Sequence, residues 1–476
     1  MKSPRMITLL AVAMTAAVPA FSSAQTVVAQ VTDPTVAAVT EVKPAADTAK
    51  PKLLVVESKY MAMAPKIEIQ NFRPFDKRGI NVFEAPKEEG AAYTGFKLSW
   101  GGSFTQQFQG LDHSNSAAPK MVPDAKNVLY DANKLVRVGH GFNNAMANLN
   151  LNVQLARGVR VALTQYVSTR HHNETWAKDG YFLIDASPIN NAMLENLMKV
   201  LSLRVGHFEI NYGDAHFRRS DAGNSMYNPL VGNYIMDAFT TEIGAEAYLR
   251  KNGFLAMGGM TAGEIRGTVR NPQARAPSYL AKLGFDKQLT PDFRARLTGS
   301  LYTTKKSASN TLYTGDRAGS RYFDVLENTA STEASTAWSG NIRPGFASKV
   351  TAYQLNPFVK IKGVEFFGIA EQAEGRAATE EKSRTWNQYA GEITYRFLPD
   401  ERAYVATRYN TAKGELLGIA NKVSSDRFNI GAGWFITPNV LMKGEWVTQK
   451  YIDFPATDIC SGGKFKGFVV EGVVGF

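Results

Sequence analysis

From about residue 93 to the last residue, apolar and polar side chains take turns along the chain. Ala147, Leu149, Leu151, Val153 and Leu155 alternate with Asn148, Asn150, Asn152 and Gln154. Successive side chains of a strand point to opposite faces, so this segment has one oily face and one amide-rich face. The turn Ala156-Arg157-Gly158 follows, and then Val159, Val161, Leu163 and Val167 alternate with Arg160, Thr164, Ser168 and Arg170. Similar strands begin near Phe293, Tyr389, Ala403, Phe428 and Val440.

The connections alternate as well, short and then long. Short turns fall at Lys251-Asn252-Gly253, Leu289-Thr290-Pro291-Asp292, Lys362-Gly363, Leu398-Pro399-Asp400-Glu401 and Ile436-Thr437-Pro438-Asn439. Long links fall near 109–139, 171–179, 212–238, 264–277, 304–349, 375–385, 412–426 and 451–463. One connection, 188–198, breaks the rule, and Asn191 to Leu197 reads as a helical turn. Tight turns at one end and long loops at the other are the pattern of a transmembrane barrel. The expected fold is therefore all-β: an antiparallel transmembrane β-barrel of sixteen strands, with short periplasmic turns and long outer loops. Hydrocarbon offers a backbone no hydrogen-bond partners, so a spanning sheet must close on itself. Tyr389, Tyr395, Phe397, Tyr409, Trp434 and Trp446 lie near strand ends and suit interfacial girdles. Phe468, Val470, Val474 and the terminal aromatic Phe476 share one face of the last strand. This ending resembles the signature that the outer-membrane assembly machinery recognises, which makes that machinery an expected partner.

The first residues read as an export signal over 1–24. Lys2 and Arg5 are followed by an apolar run from Met6 to Val18 and by the small residues Ser22-Ser23-Ala24. Residues 25–58, rich in Val, Ala, Thr and Pro, read as a flexible periplasmic linker. Residues 59–92 form an N-terminal segment that either tucks into the barrel or packs beneath it, and 93–476 form the barrel. No later run of about 18 apolar residues offers a spanning helix. A chain of 476 residues would ordinarily suggest two or three soluble domains, but the unbroken rhythm makes one body. The single cysteine, Cys460, cannot form an internal disulfide. The formal charge is +11. Export and the lack of a run of five or six bases argue against nucleic acid as partner, leaving membrane lipid and small, hydrophilic or anionic solutes.

Sixteen strands enclose more than wall side chains can fill, so an aqueous lumen is expected. Strand parity turns Arg160, Arg170, Arg204, Lys282, Arg294, Arg296, Lys360, Arg396, Arg408, Arg427 and Lys443 inward, against the acids Glu242, Glu246, Asp286, Glu365, Glu392 and Glu445. Eleven bases against six acids leave +5, which favours anions through the summed potential. The third long loop, 212–238, carries Asp214, His216, Arg218, Arg219 and Asp221. Folded inward, it aims the Arg218 and Arg219 forks at passing anions; folded outward, it is a solvated loop. Loop 304–349 either covers the mouth or lies on the surface.

Leu203-Arg204-Val205-Gly206-His207-Phe208-Glu209-Ile210-Asn211-Tyr212-Gly213 resembles a strand motif of the phosphate- and polyphosphate-selective porins, and Tyr181-Phe182-Leu183-Ile184-Asp185 resembles that family's neighbouring strand. His207, Glu209 and Asn211-Tyr212 depart from the family's Gln, Lys and Pro-Phe. The resemblance implies a sixteen-stranded, trimeric channel. The Lys-to-Glu change at Glu209 leaves phosphate selectivity unsupported.

His171-His172-Asn173-Glu174 sits at a strand end with no further ligands in view, short of the three or four a metal needs. His216, Ser220 and Asp221 are neighbours in sequence, whereas a catalytic set is assembled in space. No P-loop, nucleophile elbow or zinc-protease helix occurs, so neither an enzyme nor a cofactor is expected. The expected function is a porin in the outer membrane of a Gram-negative-type bacterium. The alternative is a structural or adhesive barrel whose loops bind surface partners.

Overall fold

The structure is a computed structural model. It describes residues 60–476 apart from 67–68, 70–71, 85–92, 172–173, 268, 270–274, 316–317 and 333–338. The expected signal 1–24 and linker 25–58 lie outside the described residues. Strands form where the rhythm of two runs. The first group is β1 (Lys97–Ser114), β2 (Met121–Pro123), β3 (Leu129–Asp131), β4 (His140–Phe142), β5 (Met146–Ala156), β6 (Val159–Ser168), β7 (Trp176–Ile184) and β8 (Leu201–Glu209). Then come β9 (Thr241–Lys251), β10 (Phe254–Thr261), β11 (Ser278–Thr290), β12 (Phe293–Thr304), β13 (Lys349–Ile361) and β14 (Val364–Arg376). The last are β15 (Arg384–Phe397), β16 (Ala403–Gly414), β17 (Val423–Thr437), β18 (Val440–Ile452) and β19 (Lys464–Gly475).

Strand β1 and strands β5 to β19 make a closed antiparallel barrel of sixteen strands. Closure is direct. One edge of β1 pairs with β19 from Ser103↔Gly475 to Ser114↔Lys464, and the other with β5 from Lys97↔Gln154 to Thr105↔Met146. The short β4 extends the β1 pairing, and β2–β3 is a hairpin within the first long loop. The end with short turns includes Asn252-Gly253, both at positive φ, the backbone that a two-residue hairpin needs. The exceptional connection between β7 and β8 holds the helix Ala192–Met198, capped by the Asn191 side chain.

The barrel is inside-out relative to a soluble protein. Leu149, Leu163, Phe182, Ile243, Leu283, Ile393, Val405 and Ile430 are exposed on the outer wall, whereas Asn148, Asn150, Gln354, Asn356, Gln388 and Asn410 are buried inside. All six girdle aromatics are exposed on that outer wall. The main apolar cluster lies within the barrel, where Ile235 and Met236 pack with Leu312, Tyr322 and Val325. These residues belong to the long loops 210–240 and 305–348, whose described residues fold largely into the lumen. Loop filling, not wall side chains alone, is what makes much of this wide barrel solid.

Candidate solute pathway

Loop 210–240 is held by backbone hydrogen bonds to inward polar side chains of the wall. The Ile235 N–H donates to Asn410 Oδ1 (2.6 Å) and the Met236 N–H to Gln388 Oε1 (2.8 Å), while Gln388 Nε2 donates back to the Met236 carbonyl (2.9 Å). Glu445 accepts from the N–H groups of Val231 (2.8 Å) and Gly232 (3.1 Å). Lys443 donates to the carbonyls of Ser225, Asn228 and Leu230 at 2.7, 3.0 and 2.9 Å and pairs with Glu471 at 3.0 Å. A loop buried in this way must have its peptide groups satisfied, and the amide- and charge-rich inner wall does so. Loop 305–348 packs on top. Tyr322 donates to Glu445 (2.5 Å), Tyr313 to Glu371 (2.9 Å) and Arg321 to the Ala222 carbonyl (2.5 Å).

The N-terminal segment 60–84 enters the lumen from the short-turn end. The Lys77 N–H donates to the Pro438 carbonyl (2.9 Å), and its ammonium meets the Asp400 carbonyl. Farther in, Arg294 donates to the Asn81 carbonyl (2.9 Å) and Asn81 to Glu365 (2.6 Å). Arg73 donates to the Phe217 carbonyl (2.9 Å), and its guanidinium lies 3.5 Å from the centre of the Tyr227 ring. Glu84 pairs with Lys282 (3.0 Å) and Arg296 (2.8 Å), and Asp214 pairs with the same two cations at 2.7 Å each. One buried cluster thus ties segment, loop and wall together. Burial alone would raise the Glu84 carboxyl. Lys282 and Arg296, with the Asn211 amide, more than reverse this and hold it well below the usual carboxylate range.

The bases picked out by parity are largely spent on such pairs. Arg160 meets Asp185, Arg204 meets Glu246, Arg294 and Arg296 meet Asp286, Lys360 and Arg396 meet Glu365, and Arg408 meets Glu392. Arg427 donates to Gln449 and to the carbonyls of Asn233 and Gly340. Arg170 is half-buried after β6. On the loop, Arg218 reaches Glu392 (2.7 Å) and Asn81, and Arg219 forks onto Asp237 (2.7 and 2.6 Å). Both are almost fully buried.

Between loop, segment and the wall from β5 to β9 a cavity of about 240 Å³ remains. Of the thirteen bases expected to line a pathway, Arg204 and Arg219 border it. Its other cations are Arg73, Lys178 and Arg250, and its anions are Glu84, Asp179, Asp185, Glu209 and Asp221. The sequence reading missed Lys178, Asp179, Asp185, Glu209 and Arg250 here, and Glu371 and Glu471 elsewhere on the inner wall. Lys178 and Asp179 both border the cavity because β7 bulges at that point: Thr164 faces Asp179 while Gln165 faces Ala177. Five more acids and two more bases reduce the wall's inward excess from +5 to +2. His216 presents Nδ1 to Glu209 (2.8 Å) and Nε2 to Asn211 (3.1 Å). Burial lowers its pKa although Glu209 pulls the other way.

Ser220 Oγ lies 3.0 Å from Ser225 Oγ, and both His216 ring nitrogens are engaged elsewhere, so His216 and Ser220 do not form a base–nucleophile pair. His172 and Asn173 lie outside the described residues. Among the described residues no group of three His, Cys, Asp or Glu side chains is arranged to hold a metal. Burial, with Asp458 beside it, pushes the Cys460 thiol up, away from the thiolate form that reacts.

No protein-family model matches the chain, and no curated protein does. Solved structures similar to it include an anion-selective porin from Comamonas acidovorans, at 11% identity and a TM-score of 0.49 over 80% of this chain and 100% of that one. Others are OmpF of Salmonella typhi in complex with daunomycin (11%, 0.44, 80% and 97%) and the outer membrane channel DcaP of Acinetobacter baumannii (10%, 0.44, 81% and 99%). At these values the fold rests on the strand pairing itself.

Proposed function

We propose that this chain is an outer-membrane porin of a Gram-negative bacterium that passes small hydrophilic solutes passively, along the β5–β9 side of its lumen. The observation that carries the reading is a cavity bordered by charged, amide and aromatic side chains inside a closed barrel whose outer wall is a belt of exposed Leu, Ile, Val and aromatic side chains. Only a bilayer gives such an outer surface a favourable surrounding. Selectivity for anions is weak in this account. The wall's inward excess is small, and the cavity itself is bordered by five cations and five anions. The bias is strongest at low salt and fades as the Debye length shrinks. The chain assembles as a trimer in this reading and reaches the membrane through recognition of the strand ending at Phe476. In this reading it acts as a passive channel rather than an enzyme and takes no cofactor.

Reconstitution into planar bilayers tests the proposal. Small ohmic steps with a reversal potential slightly on the anion side are expected. The two lumen-filling loops and the N-terminal segment favour a second reading, a closed structural or adhesive barrel. That reading predicts no steps from the whole chain, and steps once residues 60–84 are deleted.

A further inference from the structure

We infer that the cavity bordering β5–β9 is a subsite for a neutral, ring-shaped polyol, a single sugar residue. The inference rests on the porin reading for its physiological use and on the cavity alone for its chemistry. The volume, about 240 Å³, equals that of roughly eight waters at about 30 Å³ each, too small for a large solute. Aromatic rings border it from all three surrounding parts: Phe72, Phe75 and Phe83 from the N-terminal segment, Phe217 and Tyr227 from the loop, and Tyr181 and Tyr248 from the wall. The C–H faces of a sugar ring present a weakly positive surface to the negative faces of such rings. Strand β5 contributes Asn148, Asn150 and Asn152, three amides on one face at strand spacing.

Three polar atoms at this cavity are buried without a partner: the donor Asn150 Nδ2 and the acceptors Asn224 Oδ1 and Asp179 Oδ1. An unmet buried polar group is costly, which makes each a place for a ligand atom. A hydroxyl both donates and accepts, so one polyol can meet all three. An anion without hydroxyls can meet only the donor and would leave two acceptors unmet, and hydrogen phosphate, with a single hydroxyl, would still leave one. The bordering cations add little for an anion, because Lys178 already pairs with Asp221, Arg204 with Glu246 and Arg219 with Asp237, while Arg73 donates to the Gly79 and Phe217 carbonyls and Arg250 to the Ser202 hydroxyl.

The test uses the full chain in planar bilayers, with glucose, its open-chain counterpart sorbitol, and inorganic phosphate added in turn. Glucose is expected to reduce the current saturably, with a half-blocking concentration at least fivefold below that of sorbitol. Phe75→Leu, which keeps the apolar bulk and removes the ring, and Asn150→Ala should each raise the glucose value at least threefold. Equal action of glucose and sorbitol, or saturable block by phosphate alone, overturns the subsite and leaves the porin reading standing. If the chain carries no current, the porin reading falls instead. Calorimetric titration of the detergent-solubilised chain with glucose then decides: saturable heat weakened by both variants supports the subsite, and none overturns it.

Discussion

Replacing Glu84 by Gln removes one negative charge from the border of the cavity while keeping the side chain's shape. Its carboxylate now faces Lys282 at 3.0 Å, Arg296 at 2.8 Å and the Asn211 amide at 3.0 Å. The glutamine oxygen can still accept from one of them. What remains is two buried cations balanced by Asp214 and, for Arg296, by Asp286, and a local potential more positive by one charge. For a monovalent ion passing about 5 Å away, one charge amounts to about 0.8 kcal/mol in water-like surroundings and about 3 kcal/mol at an effective dielectric constant near 20. Screening at 0.1 M salt, with a Debye length of about 10 Å, reduces the lower figure to about 0.5 kcal/mol. Anions gain and cations lose by at least that screened amount, so the permeability ratio should move toward anions by roughly fivefold or more. Reversal potentials across a salt gradient measure this, and heat-modifiable migration on a gel shows that the barrel is folded. A folded variant whose reversal potential at 0.1 M salt equals that of the parent would refute both the path and the placement of segment 60–84.

Lys443→Met strands the fully buried Glu471 carboxylate and three loop carbonyls, and should lower stability by about 3–5 kcal/mol; adding Glu471→Gln should recover part of that in a double-mutant cycle on the denaturation midpoint. A Cβ on Gly232 would sit 1.9 Å from Tyr322 Oη, so Gly232→Ala should wedge the two inward loops apart, which would appear as noisier, larger current steps; unchanged, quiet steps would count against their tight packing. Burial lowers the Lys77 ammonium to about 8, so the folded chain binds fewer protons there than the unfolded chain between about pH 8 and 10.5. The penalty for burying it charged is fully present below pH 8 and fades as the pH rises. Hydrogen exchange of residues 76–82, corrected for its intrinsic pH dependence, should slow across that window in the parent and not in Lys77→Met.

The barrel was legible because a rhythm of two is a property of each strand alone. The alternating Asn and Leu of β5 and the ordered short and long connections are enough to count sixteen strands. The helix Ala192–Met198 was legible for a similar local reason, since it fills the one connection that broke the short-turn rule. The contents of the lumen were less so. Parity marks Gln388 and Asn410 as inward and polar, but water and a loop's peptide groups satisfy such amides equally well. Parity also loses its contrast near the end of the chain, where β19 buries Phe465, Val469 and Val473 on the same face as Glu471. Both faces of that strand are apolar, so Glu471 could not be assigned. Lys178 and Asp179 were hidden by a bulge, because one extra residue reverses the alternation beyond it. Glu371 was within reach: it lies on β14 six residues after Glu365 and therefore on the same face.

The single-channel current of the full chain reconstituted in a planar bilayer tests most directly whether this lumen conducts. Discrete, ohmic steps that enlarge when residues 60–84 are removed are the predicted record. A silent bilayer from the correctly folded full chain contradicts the channel reading, whether or not the deletion restores current.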